Sequence, residues 1–216
     1  MNLKEFFVFK NREEAGKKLA KELEKYKAEK PIVLAIPRGG VIVAKEVAKE
    51  LNSKLDLVIP RKIGAPWEKE LAIGAVAPDG SLILNEDLIK ELEVPQAYIQ
   101  AEKERELKEI ERRLKAYRGN KKFPEIKNKV VILVDDGIAT GATIKAAINF
   151  VKNQEPKKIV VAVPVAPLDT LKELERGVDE IICLEKPKFM GAISEFYLDF
   201  RQVEDEEVIK IMKEFK

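Results

Sequence analysis

The stretch at residues 130–143, VVILVDDGIATGAT, constrains this chain more than any other. Residues 129–134 form a short apolar run rich in β-branched side chains, the pattern of a strand covered on both faces in a parallel sheet. Asp135 and Asp136 follow at its carboxyl end, where open α/β sheets bind their ligands. Gly137 and Gly141 then permit tight turns and close backbone approach, while Ala139, Thr140, Ala142 and Thr143 keep the side chains short. Helix-forming residues run through 144–151, so the loop ends at a helix N-terminus with free N–H groups and a favourable dipole, where a phosphate fits. Ionised carboxylates can only accept hydrogen bonds, so the acid pair suits vicinal hydroxyls and repels a bare oxyanion. A phosphorylated sugar satisfies both halves. A Walker loop is excluded because no GK[ST] ending is present, and a dinucleotide fingerprint because the GxGxxG spacing is missing. The competing explanation is an ordinary strand-to-helix turn with two surface acids.

Two further strand ends carry polar loops. Residues 31–36 are another buried-strand run, ending in Pro37-Arg38-Gly39-Gly40 before the helical stretch 41–51. Gly39 and Gly40 allow unusual backbone angles, and Arg38 places a cation beside a second helix N-terminus. Residues 55–59 form a third apolar strand, after which Arg61 and Lys62 lead into a loop punctuated by Gly64 and Pro66 and carrying Trp67. That loop is a candidate lid; alternatively it is solvated, with Trp67 packed on the next strand.

The segment 130–143 resembles the motif by which type I phosphoribosyltransferases bind 5-phosphoribosyl 1-pyrophosphate (PRPP), and Arg38-Gly39-Gly40 is similar to their pyrophosphate loop. The string RKIGAPWEKELAIGAV resembles a poorly characterised subgroup of that family rather than the well-known purine or pyrimidine salvage enzymes. The resemblance covers residues 31–84 and 129–197 and implies an α/β fold, a parallel sheet flanked by helices, with a hood and a charged helical insertion. It implies that Asp135 and Asp136 hold the ribose 2′ and 3′ hydroxyls, and that Gly137, Ala139, Thr140, Gly141, Ala142 and Thr143 wrap the 5′-phosphate. Arg38, Gly39, Gly40 and Lys62 would bind pyrophosphate, with a mobile loop closing near them. Lys62, Arg61 and Asp136 would be the catalytic set. Mg²⁺ would arrive with PRPP, and no metal site of the protein's own is expected. The implied reaction moves phosphoribose from PRPP to a small nitrogenous base and releases pyrophosphate through an oxocarbenium-like state, helped by positioning and charge stabilisation. Asp136→Asn is expected to abolish PRPP binding with the fold intact. The 6-oxopurine enzymes of the family carry Asp where this chain has Ala139, and the base-binding segments of the adenine enzymes are not evident, so the acceptor stays open. The alternative is a domain that senses PRPP without turning it over. A PRPP synthetase would need two copies of the fold.

Composition supports this frame. At 216 residues with 45% hydrophobic and 36% charged content, the sequence reads as one globular domain spanning residues 1–216. The net charge of +2, from 40 basic and 38 acidic residues, demands neither nucleic acid nor membrane as partner. Lys and Glu dominate the charges, a thermophile pattern. No long apolar span or signal sequence stands out, so a cytoplasmic location is expected. Histidine is absent, which removes Ser-His-Asp and Cys-His catalysis and imidazole metal sites. The lone Cys183 lies in an apolar run and reads as a buried strand residue.

Elsewhere, Asn11 and Glu14 give a capping-box-like start to a helix over residues 12–26, with Ala15, Leu19 and Leu23 on one face. Residues 71–77 and 81–84 read as a hairpin around Pro78-Asp79-Gly80. The charged helical arm, about 86–118, breaks near Pro95 and carries the stripe Leu107, Ile110, Leu114 and Tyr117. The stripe packs on its own domain or makes a dimer contact, and a homodimer is expected. Segments 157–163, 168–176 and 179–184 complete an alternating βα series, as a parallel sheet requires. The tail, about 186–207, is the candidate base hood. Its candidates are Phe189, Phe196, Tyr197, Asp199, Phe200 and Arg201, with Phe189 and Tyr197 as base contacts. Phe196, Leu198 and Phe200 alternate with Tyr197, Asp199 and Arg201, so one set should face the core. Ordinary packing is the alternative, and residues from Asp205 read as a closing helix.

Overall fold

A computed structural model describes residues 8–215. The first helix, α1 (Arg12–Glu22), starts where the Asn11 side chain accepts a hydrogen bond from the Glu14 N–H at 2.9 Å. It ends four residues short of the expected Tyr26, and a 3₁₀ segment, Glu24–Glu29, completes the stretch. Then come β1 (Ile32–Ala35), α2 (Gly39–Leu51), β2 (Lys54–Leu57), β3 (Arg61–Gly64), β4 (Ala72–Val76) and β5 (Leu82–Leu84). The arm is α3 (Glu86–Glu91) and α4 (Gln96–Arg118). The second half is β6 (Val130–Val134), α5 (Ala142–Lys152), β7 (Lys158–Val165), α6 (Leu168–Glu175), β8 (Glu180–Glu185) and α7 (Asp205–Glu214).

Five strands form a wholly parallel sheet in the order β2-β1-β6-β7-β8. All of Val130–Val134 is buried, because helices cover both faces and leave no side for polar residues. Burying each such aliphatic side chain contributes about 1.5–3 kcal/mol. From β1 the chain proceeds outward to β2 on one side, and from β6 outward through β7 to β8 on the other. The order therefore reverses between β1 and β6, the kind of switch point at whose carboxyl ends open α/β sheets bind their ligands.

A separate antiparallel sheet, β3-β4-β5, corrects one expectation. Arg61 and Lys62 sit inside strand β3 rather than in a loop, and only residues 65–71 connect β3 to β4. Trp67 on that connection is 76% exposed, so it does not pack on the next strand. The arm packs on its own domain, the first of the two alternatives for its stripe. Ile99, Ile110 and Tyr117 of α4 are buried in the same core as β1, β2 and α2, with Leu107 and Leu114 packed against it. Cys183 is buried in β8 as expected, and burial raises its thiol to about 11. Among the described residues no helix is long and apolar enough to cross a membrane.

Candidate active site

Two turns leave the carboxyl ends of the neighbouring strands β1 and β6. On the β6 side, Asp135 and Asp136 leave the strand end together. The Asp136 N–H donates to Asp135 Oδ1 at 2.8 Å, and Arg12 Nε donates to Asp136 Oδ2 at 2.6 Å. Each carboxylate thus has one committed oxygen. Apart from the other acid of the pair, no described residue donates a hydrogen bond to Asp135 Oδ2 or Asp136 Oδ1. Burial and the adjacent Asp136 charge push the Asp135 carboxyl well above the usual carboxylate range.

Beyond the acids, the Ile138 N–H donates to the Val165 carbonyl at 2.9 Å, which pins the turn to β7. The Thr170 hydroxyl donates to the Ala139 carbonyl at 3.0 Å, tying the exposed loop to α6. Gly141 takes φ +81° and starts α5, a left-handed conformation that favours glycine. No side chain caps α5, so its first N–H groups point out beside Ala139 and Thr140, both exposed. Thr140 and Ala142 also line a cleft of about 430 Å³ between this helix start and the β4-β5 hairpin.

On the β1 side, Gly39 and Gly40 open α2 directly after a cis Pro37-Arg38 peptide bond. Neither glycine has a positive φ, so unusual backbone angles are not why they are there. A Cβ on Gly39 would overlap Asp136 Oδ2 and lie 2.7 Å from Arg12 Nε, and one on Gly40 would lie 2.8 Å from Asp135 Oδ1. The two turns therefore meet at the acid pair, with the carboxylates seated against the first turn of a helix.

A model of the phosphoribosyl transferase domain matches residues 64–201. The chain belongs to this family. Proteins of Mycobacterium tuberculosis strains CDC 1551 and H37Rv, provisionally named as phosphoribosyl transferases, are 37% identical over 205 residues, 95% of this chain and 46% of theirs. The chain thus spans about half the length of the curated relatives it matches. The crystal structure of TT1426 from Thermus thermophilus aligns with a TM-score of 0.81 at 39% identity, over 97% of this chain and 99% of that one. That alignment takes in the α3-α4 arm, which this chain shares with TT1426.

Arg38 and Lys62, expected at pyrophosphate, and Arg61, expected with Lys62 in the catalytic set, are all engaged by acids. Arg38 Nη1 lies 3.5 Å from both Glu204 and Asp205, and Asp205 also accepts from the Tyr117 hydroxyl at 2.6 Å and from Arg112 at 3.3 Å. Burial, then the bond to Asp205, raises the Tyr117 phenol to about 12. Arg61 Nε donates at 2.6 Å to Glu106, which is buried in α4, so Arg61 fastens the arm to β3. Lys62 Nζ donates to Glu70 at 2.8 Å, on the surface, and that bond lowers the Glu70 carboxyl. Residues 65–71 are themselves tied to the arm, because Lys69 Nζ donates to the Tyr98 hydroxyl at 2.6 Å and Glu102 at 3.0 Å.

The hood differs from the expected alternation. Tyr197 is the buried member, Leu198 is exposed, and Phe196 and Phe200 are half-buried. A parallel bridge between Phe9 and Tyr197 forces this, since it turns Tyr197 inward against the Phe9 ring. The Tyr197 hydroxyl donates to the Asp136 carbonyl at 2.7 Å, and burial holds its phenol well above its ordinary value. Tyr197 thus supports the acid pair from behind and presents no face to a base. Phe189 is 93% exposed and lies open on its loop. The residue missed in the sequence is Arg12, whose guanidinium also donates to the Arg201 carbonyl at 2.8 Å and stacks 3.7 Å over the Phe200 ring.

Proposed function

We propose that this chain transfers the phosphoribosyl group of PRPP to a small nitrogenous base and releases pyrophosphate. One observation carries this reading: two uncommitted carboxylate oxygens, Asp135 Oδ2 and Asp136 Oδ1, sit on the same turn as the uncapped N-terminus of α5. Two acceptors suit two vicinal hydroxyls, and a bare helix start suits a monoester phosphate. The bond from the anomeric carbon to pyrophosphate would break as the base nitrogen attacks, and the base's N–H proton would pass to the departing pyrophosphate or to water. The chain would contribute chiefly orientation, through the acids, and charge stabilisation, through the start of α2 and cations released from their present partners.

Among the described residues no cluster of three or more metal-ligating side chains exists. In this reading the two open carboxylate oxygens are taken by the ribose hydroxyls, so a Mg²⁺ ion would keep its waters and be held through the substrate's pyrophosphate. When bound, such an ion would neutralise charge on the leaving group. No acid stands at Ala139, so activation of the acceptor would not come from that position.

The test is pyrophosphate release from PRPP and Mg²⁺ in the presence of a panel of purine and pyrimidine bases. Release with at least one base supports the transferase. Binding of PRPP without release under every condition replaces it with a sensor, and no binding rejects both.

A further inference from the structure

Arg12 is a cation at the first position of a helix, where the dipole disfavours positive charge, yet it is buried. Its side chain and that of Asp136 are only 9% and 13% exposed. The guanidinium touches three other parts of the site. It meets the acid at Asp136 Oδ2, the tail through the Arg201 carbonyl and the Phe200 ring, and the α2 turn, where only a glycine at position 39 leaves it room. A planar fork that bonds in two directions while stacked on an aromatic ring is held in one orientation.

We propose that Arg12 is a positioning residue for sugar binding: it fixes the Asp136 carboxylate so that Oδ1 faces the ribose site, and it ties that orientation to the seating of the tail. The proposal rests on the reading that the acids hold ribose hydroxyls. A lone buried carboxylate without Arg12 would turn toward any available donor, and its open oxygen would no longer be aimed. Because the bonds run to both Asp136 and Arg201, displacement of residues 200–201 would release the acid as well.

The experiment compares PRPP and inorganic pyrophosphate binding by calorimetry, with Mg²⁺, for the wild type, Arg12→Gln, Asp136→Asn, the double variant and Phe200→Leu. Arg12→Gln should weaken PRPP by about tenfold or more, the scale of a lost hydrogen bond to a charged group. It should leave pyrophosphate affinity within about twofold, since no sugar hydroxyl is involved. At concentrations where Asp136→Asn still gives a measurable PRPP signal, adding Arg12→Gln should cost nothing further, because Arg12 acts through that acid. Phe200→Leu, which removes only the stack, should act in the same direction with a smaller loss and keeps the test open if Arg12→Gln fails to fold. Unchanged PRPP affinity in both Arg12→Gln and Phe200→Leu overturns the proposal. Equal weakening of pyrophosphate overturns it too, by making Arg12 a direct ligand contact or a general support. Additive losses in the double variant do the same. A wild type that binds pyrophosphate but not PRPP rejects the underlying sugar reading itself, a result distinct from these.

Discussion

The turn from β1 into α2 and the turn from β6 into α5 leave neighbouring parallel strands, and each delivers a helix N-terminus to the same end of the sheet. In the first, Gly39 and Gly40 lie in the helix with no positive φ and are glycine because carboxylates from the other turn occupy the space a side chain would need. In the second, Gly141 needs its φ of +81° to start α5, and a Cβ there would meet nothing closer than the Thr170 methyl at 3.0 Å. The same residue type answers a tertiary demand in one turn and a local one in the other. Only the tertiary demand shows that the two turns form a unit.

The most damaging change should be Asp136→Asn. It removes the partner of a buried guanidinium, at a cost of about 3–5 kcal/mol, so the expectation of an intact fold is revised: the melting temperature should fall along with PRPP affinity. A variant as stable as the wild type would mean that Arg12 finds another partner easily. Next comes Gly39→Ala, where the added methyl must push Asp136 and Arg12 apart, for about 1–3 kcal/mol and a loss of PRPP binding. Denaturant unfolding that shows no change would break the contrast between the turns. Gly141→Ala should cost only about 1 kcal/mol, the strain of a left-handed alanine, and should act on the phosphate end alone. Weaker binding of ribose 5-phosphate with unaltered pyrophosphate affinity is the expected signature.

The smallest effect has the opposite sign. Asp135 is raised in the folded state, chiefly by burial and then by Asp136, so its contribution favours folding in acid and is lost as pH rises from the unfolded value, about 3.9, through the raised folded one. Asp135→Asn escapes that loss. It should therefore match the wild type near pH 3.5 and melt slightly higher near pH 7, while binding PRPP less well. A gain that shrank toward neutral pH would contradict the assigned direction.

The parallel sheet and the acid pair were legible in the sequence because each rests on a local pattern: unbroken β-branched runs for β1 and β6, and two carboxylates ahead of a small-residue loop. Strand β3 was not, since RKIG has two charged residues and a glycine and pairs only by virtue of β4 beside it. Tyr197 misled for a similar reason. Alternation assigns two faces but not which face is inside, and the Phe9 bridge decides that from 188 residues away in sequence. Arg12 left one faint signal. A cation just after an N-cap opposes the helix dipole, and in the folded chain it is answered by an acid 124 residues on.

The central claim is that the acid pair and the start of α5 bind one phosphorylated pentose. Calorimetric titration of PRPP with Mg²⁺ into the wild type and into Asp135→Ala tests it most directly. The expected result is saturable one-to-one binding to the wild type, weakened about tenfold or more in the variant, the scale of a hydrogen bond to a charged group. Equal affinity for the two proteins, or no binding to the wild type, would contradict it.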